Sequence, residues 1–101
     1  MADLGGEILG FIAWKEADKN MKLGDKDGLT PDQRFFVGFA QWACSNERPE
    51  NLRVNATVDP HSPAQYRING VVVNMPEFQQ AFSCKAGPPM VAPAGKLCKV
   101  W

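Results

Sequence analysis

The sequence predicts a mainly α-helical chain, several helices joined by long loops, with no substantial sheet. Leu4, Ile8, Phe11 and Ile12 recur at i, i+4, i+7 and i+8 in a stretch free of proline, which places them on one helical face. The run Thr30-Pro31-Asp32-Gln33 carries a helix-start signature directly ahead of a phenylalanine-rich segment. Further on, Phe78, Ala81 and Phe82 repeat the i, i+3, i+4 spacing behind Asn74, a residue type that caps helices.

The first helix is predicted from about Ala2 to Lys19. Its Gly5, Gly6 and Gly10 each weaken it by up to about 1 kcal/mol relative to alanine, so a neighbour packed tightly against small side chains is expected there. The stretch GDKDGLTPDQ reads as loop and then helix start. Thr30 and Gln33 form a capping box, and Pro31 stands at the first helical position, where its missing N–H costs nothing. The helix that follows carries Phe35, Phe36, Phe39, Ala40 and Ala43, a stripe too wide for a surface helix, and is expected at the centre of the core. The aspartates of GDKDG do not make a calcium loop: with Gly28 at the sixth position, the first and twelfth ligands would be Leu23 and Arg34.

Pro49 opens a short helix through Leu52, Val54 and Thr57, closed at Asp59-Pro60. Tyr66 to Val73 is β-prone but interrupted by the turn signal Asn69-Gly70. From Lys85 to Lys96 the chain reads as a proline- and glycine-rich loop, and the terminal Trp101, beside Val100 and Cys98, is expected to be tucked in. The second helix bears more apolar surface than the rest of the chain can cover, so exposed apolar patches or self-association are expected.

With 101 residues the chain is one domain at most. Its 45% hydrophobic and 22% charged residues are those of an ordinary globular protein, and eleven basic against eleven acidic residues argue against a nucleic-acid partner. No apolar run approaches a membrane span, and no signal-peptide pattern opens the chain. Cys44, Cys84 and Cys98 match neither a zinc nor a redox CxxC pattern, and their odd number leaves at least one without an internal partner. They are either buried free thiols or partners of cysteines on other polypeptide.

Chemistry-bearing residues are few. The one histidine, His61, lies in DPHSP between two prolines, with Arg67 six residues on; loops fixed by rigid residues are where binding groups gather. Asp3 suits the positive end of the first helix. Arg34 is expected in a structural ion pair, and Asn55-Ala56-Thr57 fits the N-glycosylation pattern. No nucleophile-base set closes, and HExxH is absent.

The order of blocks says more. ADLGG, TPDQRFFVGFAQWAC, DPHSP with R-x-N-G, NMPEF and the terminal CKVW together resemble the C-terminal end of the neprilysin family of zinc metalloendopeptidases, over nearly the whole chain. The resemblance implies the C-terminal part of a thermolysin-like (gluzincin) catalytic domain over 1–101, cut inside the helix that carries the third zinc ligand. That glutamate, four residues before Asp3 in the family pattern, would stand two residues before Met1, and the HExxH helix further upstream. Zinc would therefore serve the full-length parent, with none bound to this chain alone.

The same resemblance makes Asp3 the carboxylate that orients a zinc-bound histidine and a proton donor. It makes His61 a donor to the oxyanion of the tetrahedral intermediate, and Arg67 the holder of a peptide-substrate carbonyl. Attack by a zinc-activated water would belong to the upstream part. Cys44, Cys84 and Cys98 would pair with upstream cysteines, which implies an extracytoplasmic parent, secreted, periplasmic or membrane-anchored. The partners implied are peptide substrates and the upstream polypeptide, and the isolated chain is expected to be inactive. The competing reading is a stand-alone helical binding module without catalysis.

Overall fold

A computed structural model describes residues 1–87 and 89–100. Among the described residues five helices follow one another: α1 (Ala2–Met21), α2 (Pro31–Trp42), α3 (Pro49–Val58), α4 (Ala64–Val72) and α5 (Pro76–Ala81). Among the described residues there is no sheet; a single bridge pairs Lys26 with Leu29. The expected position of Trp101 lies outside the described residues.

The core is small and aromatic. Leu4, Phe11, Phe36, Val71, Val72 and Met75 are buried, and Ile8, Trp14, Phe35, Phe39, Phe78 and Phe82 pack around them. Phe36 is the hub: its ring stacks on Phe11 at 5.4 Å and meets Phe78 edge-on at 5.3 Å, so one α2 residue joins α1 to α5. Edge-to-face and offset contacts of this kind add about 0.5–1.5 kcal/mol beyond the area buried. The capping box holds α2 in place as read from the sequence: Thr30 Oγ1 accepts from the Gln33 N–H, and Gln33 Oε1 accepts from the Thr30 N–H. Gln33 Nε2 also donates to the Ala81 carbonyl at 2.9 Å, tying the start of α2 to the end of α5.

Several sequence expectations are corrected. The β-prone segment is helical: Val71 and Val72 of α4 are buried beside Leu4 and Phe11, and packing at helical spacing outweighs a weak local preference for strand. Asn74 does not cap α5, whose N-cap is Met75. Its Nδ2 instead donates to the Gly70 carbonyl, while its Oδ1 accepts from the Cys98 N–H, joining the end of α4 to the C-terminal tail. Ile12 is 59% exposed. Gly6 would have no atom within 4 Å of an added Cβ, and Gly10 would meet Phe35 at an ordinary 3.8 Å. Close approach therefore does not account for those two glycines.

Arg34 forms no ion pair among the described residues. Its Nη2 donates to the Gly24 carbonyl at 3.0 Å, and its Nε is buried without a partner among them. Apolar side chains are indeed exposed, but α2 is not the main contributor: beside Val37 and Trp42 they include Leu9 and Ile12 on α1 and Leu52, Val54 and Val58 on α3. Every residue of α3 is exposed. It starts on Pro49, has no side-chain N-cap and presents no packed face, so its ten residues form the least supported helix of the five.

Candidate functional site

Two segments distant in sequence bring the first pair together. Asp3 stands in the first turn of α1, and Arg67 is the fourth residue of α4. Because Leu4 and Val71 on the same two helices are both in the core, Asp3 and Arg67 meet at the edge of that contact. Arg67 donates from Nε to Asp3 Oδ2 and from Nη2 to Asp3 Oδ1, both at 2.7 Å, a two-pronged pair with roughly a quarter to a third of each side chain exposed. These hydrogen bonds hold the Asp3 carboxyl below its ordinary range, against the opposing effect of burial. The positive end of α1 suits the same charge.

His61 is positioned from the other side. Asp59, the residue after α3, turns its carboxylate back so that Oδ1 accepts from the His61 backbone N–H at 2.8 Å and lies 2.9 Å from Nδ1. These two contacts hold the Asp59 carboxyl below its usual range. A proton on Nδ1 completes the side-chain bond, which leaves Nε2 as the ring atom available for other work. The ring is exposed, and Pro60 and Pro63 bracket it, so the short loop has little freedom to carry it elsewhere.

A cleft of about 200 Å³ connects these groups; its walls include Trp42, Asn55, Asp59, His61, Ser62 and Arg67. A second cleft of about 230 Å³ lies on the Asp3 side and shares Ser62 and Arg67 with the first. Arg67 is thus the partition between them. Its guanidinium carbon lies 4.7 Å from the centre of the Trp42 ring.

All three site residues read from the sequence, Asp3, His61 and Arg67, line these two clefts, with Asp3 and Arg67 bonded directly and His61 bonded to Asp59 instead. Asp59 and Trp42 were missed. A signal for Asp59 exists: an aspartate two residues before the histidine, with proline between, is the pattern of a side chain that bonds its own backbone two residues on. Trp42 gave none, because its contact with Arg67 depends on how α2 and α4 pack. Asn55 is exposed, and its Nδ2 donates to Glu47 Oε1. Cys44, Cys84 and Cys98 are all free thiols here.

Comparison with known proteins shows the family of the chain. Peptidase family M13 matches the chain over residues 1–98. Neprilysin-1 of Caenorhabditis elegans is 41% identical over 106 residues, covering 100% of this chain and 14% of its own length. Endothelin-converting enzyme 1 of Rattus norvegicus is 46% identical over 104 residues, and Neprilysin-3 of Drosophila melanogaster 39% over 105; each match covers 100% of this chain and 13% of the relative. The chain belongs to peptidase family M13, the neprilysin family. It spans about one-seventh of the length of these curated relatives.

Proposed function

We propose that this chain is the C-terminal part of the catalytic domain of a zinc-dependent metalloendopeptidase that hydrolyses peptide bonds of oligopeptides. The observation that carries the reading is the convergence of a two-pronged Asp3–Arg67 pair and an Asp59-held His61 on adjoining clefts in a chain of family M13. Among the described residues no group of three or more His, Cys, Asp or Glu side chains is placed to hold a metal ion. The donor set here does not fit a zinc site, so in this reading the zinc and its ligands belong to polypeptide upstream, and no step is assigned through the metal.

What the chain supplies is positioning and charge. Arg67 spends Nε and one Nη2 hydrogen on Asp3, and its remaining donors, without a partner among the described residues, can hold a backbone carbonyl of the peptide and set its register. Each Asp3 oxygen retains a lone pair after bonding Arg67, enough to accept from a histidine N–H. His61, with Nδ1–H directed to Asp59, donates from Nε2 only as the imidazolium. That form is the one suited to a developing oxyanion. Cys44, Cys84 and Cys98 pair with upstream cysteines, consistent with an extracytoplasmic parent.

The test is hydrolysis of a fluorogenic peptide by the polypeptide completed upstream with its M13 region, alongside the 101-residue chain. His61→Ala in the completed protein is expected to lower kcat about 10²- to 10³-fold, the usual effect of deleting an oxyanion donor. The chain alone should neither cleave the peptide nor keep stoichiometric zinc through dialysis. Zinc retention with cleavage by the chain alone, or an unchanged kcat in the variant, refutes the proposal.

A further inference from the structure

We infer that Trp42 is a positioning residue for Arg67: the guanidinium carbon sits over its indole ring, and that contact fixes how the group presents its remaining donors to the first cleft. What Arg67 does with those donors rests on the peptidase reading; the placement itself does not.

The argument starts from what Asp3 leaves undone. A two-pronged carboxylate fixes the guanidinium along one edge, through Nε and Nη2. It resists sliding within the plane but resists tipping about that edge only weakly. Of the hydrogen bonds among the described residues, none uses Nη1. A second contact away from that edge opposes the tipping, and the Trp42 ring, 4.7 Å from the guanidinium carbon, supplies it. Trp gives the strongest such contact of the aromatic side chains.

Filling the core does not explain Trp42. The residue is 53% exposed, at the last position of α2, and it lines the same cleft as His61 and Arg67. It is nonetheless well anchored: Phe39, one turn earlier, lies 6.3 Å from it ring to ring, and Phe36 fixes α2 in the core. The indole is therefore a firm plate at the cleft wall, and Arg67 is clamped between that plate and the Asp3 edge.

The test reads the guanidinium directly. In ¹⁵N-labelled 101-residue chain, the Arg67 Nε–H resonance should be displaced by the ring current and exchange slowly with water. Trp42→Ala should abolish the displacement and speed exchange several-fold. Trp42→Leu keeps an apolar side chain without a π face and should behave like the alanine variant, whereas Trp42→Phe should restore most of the wild-type signal. An Arg67 Nε–H unchanged in shift and exchange in both the alanine and leucine variants overturns the inference, as does a leucine variant indistinguishable from phenylalanine. In the completed peptidase, Trp42→Ala should lower kcat/KM for a peptide about tenfold, with recovery in Trp42→Phe, as misplacement of a substrate-holding group does. If the resonance responds while neither Trp42→Ala nor Arg67→Ala alters hydrolysis, the placement stands and the peptidase role of Arg67 falls.

Discussion

Replacing Glu7 by glutamine should shift relative stability towards the variant as the pH rises through about 7. Glu7 lies on α1 one turn beyond Asp3, half-buried, and its Oε1 is sealed from solvent without a hydrogen-bond partner among the described residues. Burial pushes its carboxyl from 4.5 up to about 7. A folded value above the unfolded one means that the native state binds the proton more tightly. The stabilisation from neutral Glu7 is therefore fully present below about pH 4.5 and is lost as the pH rises through about 7. At about 1.36 kcal/mol per pH unit, that interval would amount to about 3.4 kcal/mol for a fully shielded group. Glu7 is only half-buried, and solvent screening reduces the expectation to about 1–2 kcal/mol.

Urea unfolding of wild type and Glu7→Gln from pH 4 to 8 measures it. The amide is neutral throughout, so any cost of burying it is a constant offset, and the signal is the change in the difference between the two proteins. That difference should move in favour of the variant by about 1–2 kcal/mol between pH 4.5 and 7.5. A difference flat across that range refutes the claim that Glu7 is shielded. Asp3 and Asp59 act elsewhere: their lowered values give stability that is present above about pH 3.8 and lost on further acidification.

Other substitutions test the fold. Phe36→Ala removes the ring that joins α1 to α5 and should cost about 3–5 kcal/mol, read as loss of the cooperative transition in thermal circular dichroism. Thr30→Ala should lower the unfolding free energy by about 1 kcal/mol through loss of one half of the capping box. Lys22, with φ of 50° at the end of α1, holds a left-handed conformation that glycine adopts freely; Lys22→Gly should raise the thermal midpoint, by about 0.5–1 kcal/mol in stability terms. Asp59→Ala in the completed peptidase should lower kcat about tenfold, because the carboxylate that aims the imidazole through its backbone N–H and Nδ1 is gone.

Where the sequence was legible, a local rule governed the outcome. Four residues set the capping box, and a repeat on one face set α1; neither needs a distant partner. The stretch from Tyr66 to Val73 was misread because its helical state depends on Leu4 and Phe11, more than fifty residues away, accepting Val71 and Val72. The site divides in the same way. His61 stood out as the one histidine between prolines, and Asp3 and Arg67 came through family resemblance. Their two-pronged bond crosses 64 residues, and the indole over Arg67 depends on an inter-helix contact that no spacing encodes. Nothing in the sequence marks Glu7, since one-dimensional pattern carries no information about the sealing of a single oxygen.

The wholly solvent-facing α3 gives His61 an unusual foundation. Unwinding it disturbs no core contact, so it can open while Phe36 and its neighbours stay locked, and its amides should trade deuterium long before those of α1 and α2. Asp59 is the last rung of that ladder: its N–H donates to the Asn55 carbonyl at 2.9 Å while its carboxylate steers the imidazole. The aim of the imidazole is thus coupled to the winding of the last turn of α3, the part of the fold with least to hold it.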